Sequence, residues 1–372
     1  MKTLPTDERI TRFDTQDGTT ISLDSKLLTV PSDPVVAIDN GSLWQKIALL
    51  GELAGNPALA IQRSLNYLAE LPRGKSRVKP SRTLTLSGAE GSAVKGNVEI
   101  TYRGKTYTSD RKGASLNAQS GLHGDKTDNL KLRVILALEQ LGLGNGEDIH
   151  LSLSLFFTPG HFKAQESAAK KALSQSLTWS TPQGRKSATI QTLQVVPEGY
   201  HIGAYRQLAI AESKPNDRWQ ACYDIGYRTL LCDFIDPDGF FDDNRSQSYD
   251  GKGTSLYYEW VAEEAGIDDP EDPQFITAVN NCEDYYQPQG EPEPIPIADA
   301  IDTAHEWYIG EIAEIITDCT PPEIETSIIG GGGAFRFGRD LIPSLRGSDR
   351  YVVEHPDLAN VIAQTITLAQ EL

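Results

Sequence analysis

Several kinds of residue and pattern are scarce in this chain. Met1 is the only methionine among 372 residues. Cysteine stands at only four positions, Cys222, Cys232, Cys282 and Cys319. None lies in a Cys-x-x-Cys pair or has a histidine at zinc-finger spacing, which excludes the common zinc modules. In a chain of this length they read as buried or free thiols of a reducing compartment, with Cys222 and Cys232 on neighbouring strands. No apolar run approaches the roughly 18 residues of a membrane span. The first residues lack the apolar core of a secretory signal, so a cytoplasmic protein is expected. Cations are few: 34 Lys and Arg against 52 Asp and Glu, a formal charge of −18. That excludes broad, direct binding to nucleic acid, which depends on Lys and Arg against phosphates. It leaves room for a basic protein partner.

The standard chemistry motifs are also missing. Gly74-Lys75-Ser76 looks like the end of a P-loop, but Ala69 stands where the first glycine belongs. Gly251-Lys252-Gly253 lacks the rest of a dinucleotide fingerprint. The acidic stretch Asp236 to Asn244 lacks the closing Glu of a calcium loop. The histidines do not cluster, and no Gly-x-Ser-x-Gly elbow occurs.

The length suggests two or three compact units at roughly 150 residues each. Residues 1–33 read as a polar extension with one strand near 19–23. Val35 to Ile38 predicts a strand, Asp39-Asn40-Gly41-Ser42 a turn, and Ile47 to Leu50 the return strand. Leu59, Ile61, Leu65, Leu68 and Leu71 come close to helical spacing. A hairpin is expected around Arg103-Gly104-Lys105, a helix over 130–141 and a strand over 149–155. A second strand, 190–196, leads to a helix over about 200–210. Strands 221–225 and 230–235 flank a second turn. Residues 262–299, acidic and Pro-rich, read as a long surface excursion. A helix from about 298 to 316 should turn Ile301, Ala304, Ile309, Ile312 and Ile315 inward. A buried strand, 325–329, then runs into Gly330 to Gly333. The C-terminus, 356–372, reads as one amphipathic helix.

Three short segments form a constellation. The first is Asp39-Asn40-Gly41-Ser42 with Lys46 on the return strand. The second is Asp224-Ile225-Gly226-Tyr227-Arg228-Thr229. The third is Gly331-Gly332-Gly333-Ala334 after a buried strand. A tight turn with glycine lets backbone N–H groups face phosphate oxygens. An aspartate beside it can hold magnesium through water, and a lysine adds a point charge. A glycine run opening a helix gives close approach at an anion-binding N-terminus. Singly, an Asp-x-Gly turn is most often only a hairpin. The order and separation of all three carry the signal.

In that order the segments resemble the two phosphate turns and the adenosine motif of the actin-like ATPase superfamily. Within it, the chain is similar to the plasmid-segregation actins, the ParM/StbA family. Val35 to Lys46, Tyr102 to Tyr107, Leu153 to Gly160, Val195 to Gly199, Asp224 to Thr229, Ile328 to Ala334 and His355 to Val361 carry the likeness, across about 34–372. The sequence departs at Tyr227 and Arg228, where many relatives have small residues, and at Leu230, Leu231 and Ala363.

The resemblance implies an α/β fold, the actin-like two-domain ATPase built from duplicated RNase H-like domains with a nucleotide cleft between them. Domain I would span 34–205, with 345–372 packing back on it, and domain II 206–344. Asp39 and Asp224 would hold hydrated Mg2+. Asn40, Gly41, Ser42 and Lys46 would line the phosphates from one side, Gly226, Tyr227 and Thr229 from the other. Gly331, Gly332, Gly333 and Ala334 would line the adenosine pocket for ATP or ADP, with GTP a possible substitute. Glu198 and Asp224 would be catalytic, Glu198 by positioning the attacking water. Its plain alternative is a carboxylate complementing a helix N-terminus. The implied activity is ATP hydrolysis coupled to self-assembly into filaments that move plasmid DNA through a DNA-bound, ParR-like adaptor, without membrane contact. The alternatives are a small-molecule kinase of the same superfamily and a nucleotide-binding scaffold without hydrolysis.

Overall fold

The computed structural model describes residues 9–15, 18–41, 44–71, 84–85, 93–94, 98–109, 119–120, 129–155, 161–209 and 218–372. Ser42, the basic segment 72–76 and residues 156–160 lie outside the described residues. The chain divides into two compact units, Met1–Pro215 with Leu358–Leu372, and Asn216–Asp357.

Unit 1 is built on a 12-stranded sheet. Its first strands are β1 (Ile10–Thr15), β2 (Gly18–Leu23), β3 (Val35–Asn40), β4 (Trp44–Leu53), β5 (Asn56–Leu65) and β6 (Tyr67–Glu70). Two short strands, β7 (Leu84–Thr85) and β8 (Ala93–Val94), pair separately. The sheet continues with β9 (Glu99–Tyr102), β10 (Lys105–Ser109), β11 (Gln119–Ser120), β12 (Asn145–Leu155), β13 (Leu177–Thr181) and β14 (Gly184–Pro197). The spatial order is β1-β2-β5-β4-β3-β12-β14-β13-β9-β10-β6-β11. β12 lies parallel to both β3 and β14, which makes the centre of the sheet parallel. Strands covered on both faces read as continuous apolar runs, and every residue of β3 is buried. The N-terminal stretch supplies two strands, which extend this sheet as an antiparallel edge.

The stretch 57–71 forms the two strands β5 and β6, not the helix its leucine spacing predicts. The deciding feature is the turn before them. Ala54 and Gly55 both have positive φ, 53° and 80°, closing Leu53 against Asn56. A two-residue turn of that hand matches the twist of a hairpin. Alanine seldom takes this conformation, so the signal is invisible in the sequence. The hairpin at Arg103 and Gly104 forms as expected, with φ of 50° and 77°.

Helices α1 (Leu130–Gln140), α2 (Phe162–Leu173) and α3 (His201–Ala209) also belong to this unit. In the second unit come α4 (Thr254–Ala265), α5 (Pro273–Asn280), α6 (Ala298–Cys319) and α7 (Ala334–Leu341). The closing helix α8 (Ala359–Gln370) packs against α3, β3 and β4 of unit 1. It is buried almost all round, rather than the amphipathic helix expected. Among its polar side chains, Thr365 donates to the Val361 carbonyl at 2.7 Å, and Asn360 Oδ1 accepts from the His201 N–H at 3.3 Å.

Unit 2 has a five-stranded sheet in the order β17 (Gln247–Asp250), β16 (Thr229–Ile235), β15 (Gln220–Ile225), β20 (Thr326–Gly330) and β21 (Asp349–Val352). β21 pairs parallel with β20, which places Asp349–Val352 in this unit. Cys222 and Cys232 are buried on the adjacent strands β15 and β16, and all four cysteines are free thiols. The buried stripe of α6 follows Ala300, Ala304, Tyr308, Ile312 and Ile316, with Ile301 beside it. Ile309 and Ile315 are only half-buried, because the stripe runs along one row at a spacing of four.

The stretch 262–299 is folded rather than a bare excursion. It contains the end of α4, all of α5, and the hairpin of β18 (Tyr285–Tyr286) and β19 (Ile295–Pro296). Phe275, Val279 and Ile297 are fully buried there. The acidic and proline signals are helix punctuation: the Asp272 carboxylate accepts the Gln274 N–H at 2.7 Å and Pro273 begins α5.

Candidate functional site

In unit 1 the first turn hangs from the centre of the sheet. Asp39 sits near the end of β3, 2% exposed. Its register partner on β4 is Lys46. The Lys46 ammonium donates to Asp39 Oδ2 at 2.8 Å. Ser154, on the parallel neighbour β12, donates to Asp39 Oδ1 at 2.9 Å. Both carboxylate oxygens are therefore engaged by the protein.

Asn40 is buried and is held by an amide network. Asn66, on the segment between β5 and β6, donates to Asn40 Oδ1 at 3.1 Å and to the Gly41 carbonyl at 2.7 Å. Arg133 on α1 in turn donates to the Asn66 side-chain oxygen. Gly41 has no room for a side chain, since a Cβ there would stand 2.6 Å from the Trp44 carbonyl oxygen. The same position is 3.8 Å from Glu198 Oε1. Glu198 follows β14, and its N–H donates to the Leu155 carbonyl at 2.8 Å. The fold thus brings Asp39, Asn40, Gly41, Lys46 and Glu198 together.

In unit 2 the second turn and the glycine run converge because β15 and β20 are parallel neighbours. Asp224 is opposite Gly330 in that register. A Cβ on Gly331 would lie 2.1 Å from Asp224 Oδ1, and Gly331 has φ of +84°. The Gly333 N–H donates to the Ile225 carbonyl at 2.9 Å, tying the run to the turn. Gly332 is exposed and has open space where a side chain would stand. Ala334 is buried and starts α7.

The turn between β15 and β16 is closed by the Gly226 N–H on the Thr229 carbonyl at 2.9 Å. That N–H is spent inside the turn. The bulky residues of the turn are absorbed by unit 2 itself. Tyr227 stacks on Tyr258 of α4, with centroids 6.2 Å apart. Arg228 grips Asp250 of β17 through two bonds, at 2.8 and 3.0 Å. That carboxylate holds the Arg228 guanidinium above its ordinary pKa.

Three supports have no clear mark in the sequence. Ser154 is one of several alternating residues of a strand, and Asn66 lies in a stretch that reads as helical. Gly253 belongs to a glycine pair too short for a known motif. A Cβ on Gly253 would stand 2.5 Å from backbone atoms of Tyr227, Arg228 and Thr229. The N–H groups of Gly253, Thr254 and Ser255 donate to the carbonyls of Arg228, Gly226 and Tyr227 at 3.0, 3.0 and 2.7 Å. The start of α4 thereby clamps the second turn.

Among the described residues no three His, Cys, Asp or Glu side chains converge as a metal cage. A hydrated magnesium needs only one or two carboxylates, keeping most of its waters. Among the described residues no helix is long and apolar enough to cross a membrane.

These features define a class: a two-unit α/β protein in which a central strand of each sheet ends in an aspartate and a tight glycine turn. Solved structures of the same fold extend over nearly the whole chain. An archaeal actin homologue in complex with ADP has a TM-score of 0.66 at 18% identity, covering 91% of this chain and 99% of its own. ParM from Clostridium botulinum, in a 15-stranded filament, has a TM-score of 0.65 at 16% identity, covering 91% and 99%. Bacillus thuringiensis ParM with ATP has a TM-score of 0.63 at 16% identity, covering 92% and 99%. No family model and no curated protein matches the chain. The fold is therefore actin-like, of the ParM type.

Proposed function

We propose that this chain binds and hydrolyses ATP and polymerises with it into filaments that segregate plasmid DNA. The observation that carries the reading is the meeting of Asp224 with Gly331, where no side chain fits between carboxylate and glycine backbone. A carboxylate beside a bare backbone that leads into a helix suits a metal-bound nucleotide. The actin-like fold supports the same reading, since its solved members include proteins holding ADP and ATP and one in a filament.

In this reading Unit 1 serves as domain I and Unit 2 as domain II. Lys46 supplies positive charge to the phosphates, and the amide network of Asn66 fixes Gly41 beneath them. Mg2+ would be held through water by Asp39 and Asp224, where it would neutralise phosphate charge. Glu198, close to Gly41, orients the attacking water. Phosphoryl transfer requires mainly such positioning and charge stabilisation. Gly331, Gly332, Gly333 and Ala334 receive the adenosine. A DNA-bound, ParR-like adaptor links the filament to its cargo, in the cytoplasm.

The test is light scattering of the purified chain after addition of magnesium and ATP, with phosphate release followed in the same sample. Scattering should rise above a critical concentration and decay as phosphate appears. Glu198→Ala should polymerise and persist; Asp224→Ala should lose nucleotide. Flat scattering with nucleotide bound would overturn the filament reading. Phosphate release dependent on an added acceptor would identify a kinase, and none at all a scaffold.

A further inference from the structure

An aromatic pair unused by the nucleotide reading lies on α4 and α6. Trp260 and Trp307 pack edge to face, with centroids 6.2 Å apart, and Trp260 also meets Tyr308 at 6.5 Å. Trp307 is 50% exposed. One turn further along α6, Gly310 is exposed, with open space where a side chain would stand. Glycine within a helix costs about 1 kcal/mol relative to alanine. Here it leaves open space, a shallow notch in the helix surface three residues beyond Trp307.

The charged side chains of the two helices have one sign. α4 carries three carboxylates (Glu259, Glu263, Glu264) and α6 six (Asp299, Asp302, Glu306, Glu311, Glu314, Asp318), with no Lys or Arg on either helix. Lys252 is already paired with Glu311 of α6 at 2.5 Å. Exposed tryptophan with a recess beside it is the usual composition of a binding hot spot, and the acidic border selects a complementary partner.

We propose that this face is a docking site for a basic amphipathic helix of a partner protein. An aliphatic side chain of the partner would enter the notch at Gly310 and cover Trp307. Its Lys or Arg residues would meet the carboxylates of α4 and α6. Two copies of this same face would set like charges against each other, which disfavours self-association here. The inference does not depend on nucleotide binding.

The test uses the full-length chain and a fluorescently labelled leucine–lysine amphipathic peptide, followed by anisotropy. Wild type should bind it, and the same peptide with glutamate for lysine should not bind. Trp307→Ala should weaken binding about tenfold or more, with its unfolding temperature unchanged, and Trp307→Tyr should restore most of the affinity. Glu306→Gln with Glu314→Gln should weaken binding at low salt, while Glu283→Gln with Glu291→Gln, the same charge change elsewhere in unit 2, should not. Equal binding by wild type and Trp307→Ala would overturn the proposal, as would equal effects of the two charge pairs. Sedimentation showing self-association that Trp307→Ala abolishes would overturn it in favour of a second copy.

Discussion

Replacing Gly331 by alanine is the sharpest test of how the glycine run meets the second turn. The added Cβ would stand 2.1 Å from Asp224 Oδ1, 2.6 Å from the Ile225 carbonyl oxygen and 2.7 Å from the Ile225 nitrogen. Two of these atoms are backbone, held in a strand paired on both sides. They cannot give way cheaply. The φ of +84° adds a second penalty, since an L side chain strains that conformation. The left-handed backbone costs about 1–2 kcal/mol and the overlap about 1–3 kcal/mol, together about 2–5 kcal/mol. For a unit of this size a kilocalorie moves the melting temperature by roughly 3 °C, so unit 2 should melt about 6–15 °C lower.

Calorimetry is the assay, because two units need not melt together. Gly332→Ala is the control: its Cβ meets nothing within 4 Å, so its stability should change by less than about 0.5 kcal/mol. Adding Asp224→Ala to Gly331→Ala removes the 2.1 Å overlap but leaves the two with Ile225. The double variant should therefore recover part, not all, of the loss, a coupling expected of residues in direct contact. If Gly331→Ala melts like Gly332→Ala, the packing of the run on the turn is wrong. So too is the reading built on it.

Gly253→Ala should also destabilise unit 2, by about 1–3 kcal/mol in thermal unfolding, because its Cβ would press on three backbone atoms of the turn. Asn66→Ala removes the donor to Gly41 and Asn40 and the acceptor for Arg133. It should cost about 2–3 kcal/mol in urea unfolding and weaken ATP binding by titration calorimetry. His201 on α3 is fully buried, and burial pushes its pKa down to about 4. In the unfolded chain it titrates near 6.5, so between these values the unfolded state binds the extra proton. Stability should therefore fall from pH 6.5 to pH 4, by about 3 kcal/mol for this group. His201→Gln should flatten that part of the unfolding profile.

How legible the protein is in its sequence depends on where the information lies. The strands that carry Asp39 and Asp224 are marked twice, by short apolar runs and by Asp-x-Gly turns. The glycine run after a buried strand is equally plain. The hairpin of β4 and β5 escapes because its turn uses Ala54 in a conformation alanine rarely adopts. The spacing of Leu59, Ile61, Leu65, Leu68 and Leu71 mimics a helical stripe. The clamp at Gly253 escapes because a glycine required by contact looks the same as one tolerated in a loop. The acidic stretch 262–299 misleads in the other direction, because Asp272-Pro273 is a helix start as readily as a loop.

The two aspartates occupy equivalent topological places with different electrostatics. In unit 1, β3 runs antiparallel to its hairpin partner β4 and parallel to β12. In unit 2, β15 has the same arrangement with β16 and β20. Opposite Asp39 stands Lys46, opposite Asp224 stands Leu231. A carboxylate already bonded to an ammonium and a serine has less charge to offer a cation. In the proposed site Asp39 is therefore chiefly the anchor that aims Lys46 at phosphate. With Asp224 holding magnesium as proposed, Asp224→Asn should raise the magnesium concentration needed for ATP binding about tenfold or more, the loss of one charge-assisted contact. Asp39→Asn should weaken binding of ATP and of metal-free ATP alike, by releasing Lys46 from its fixed position. Magnesium titrations of nucleotide affinity separate the two. Equal magnesium dependence in both variants would show that the lysine does not divide their roles.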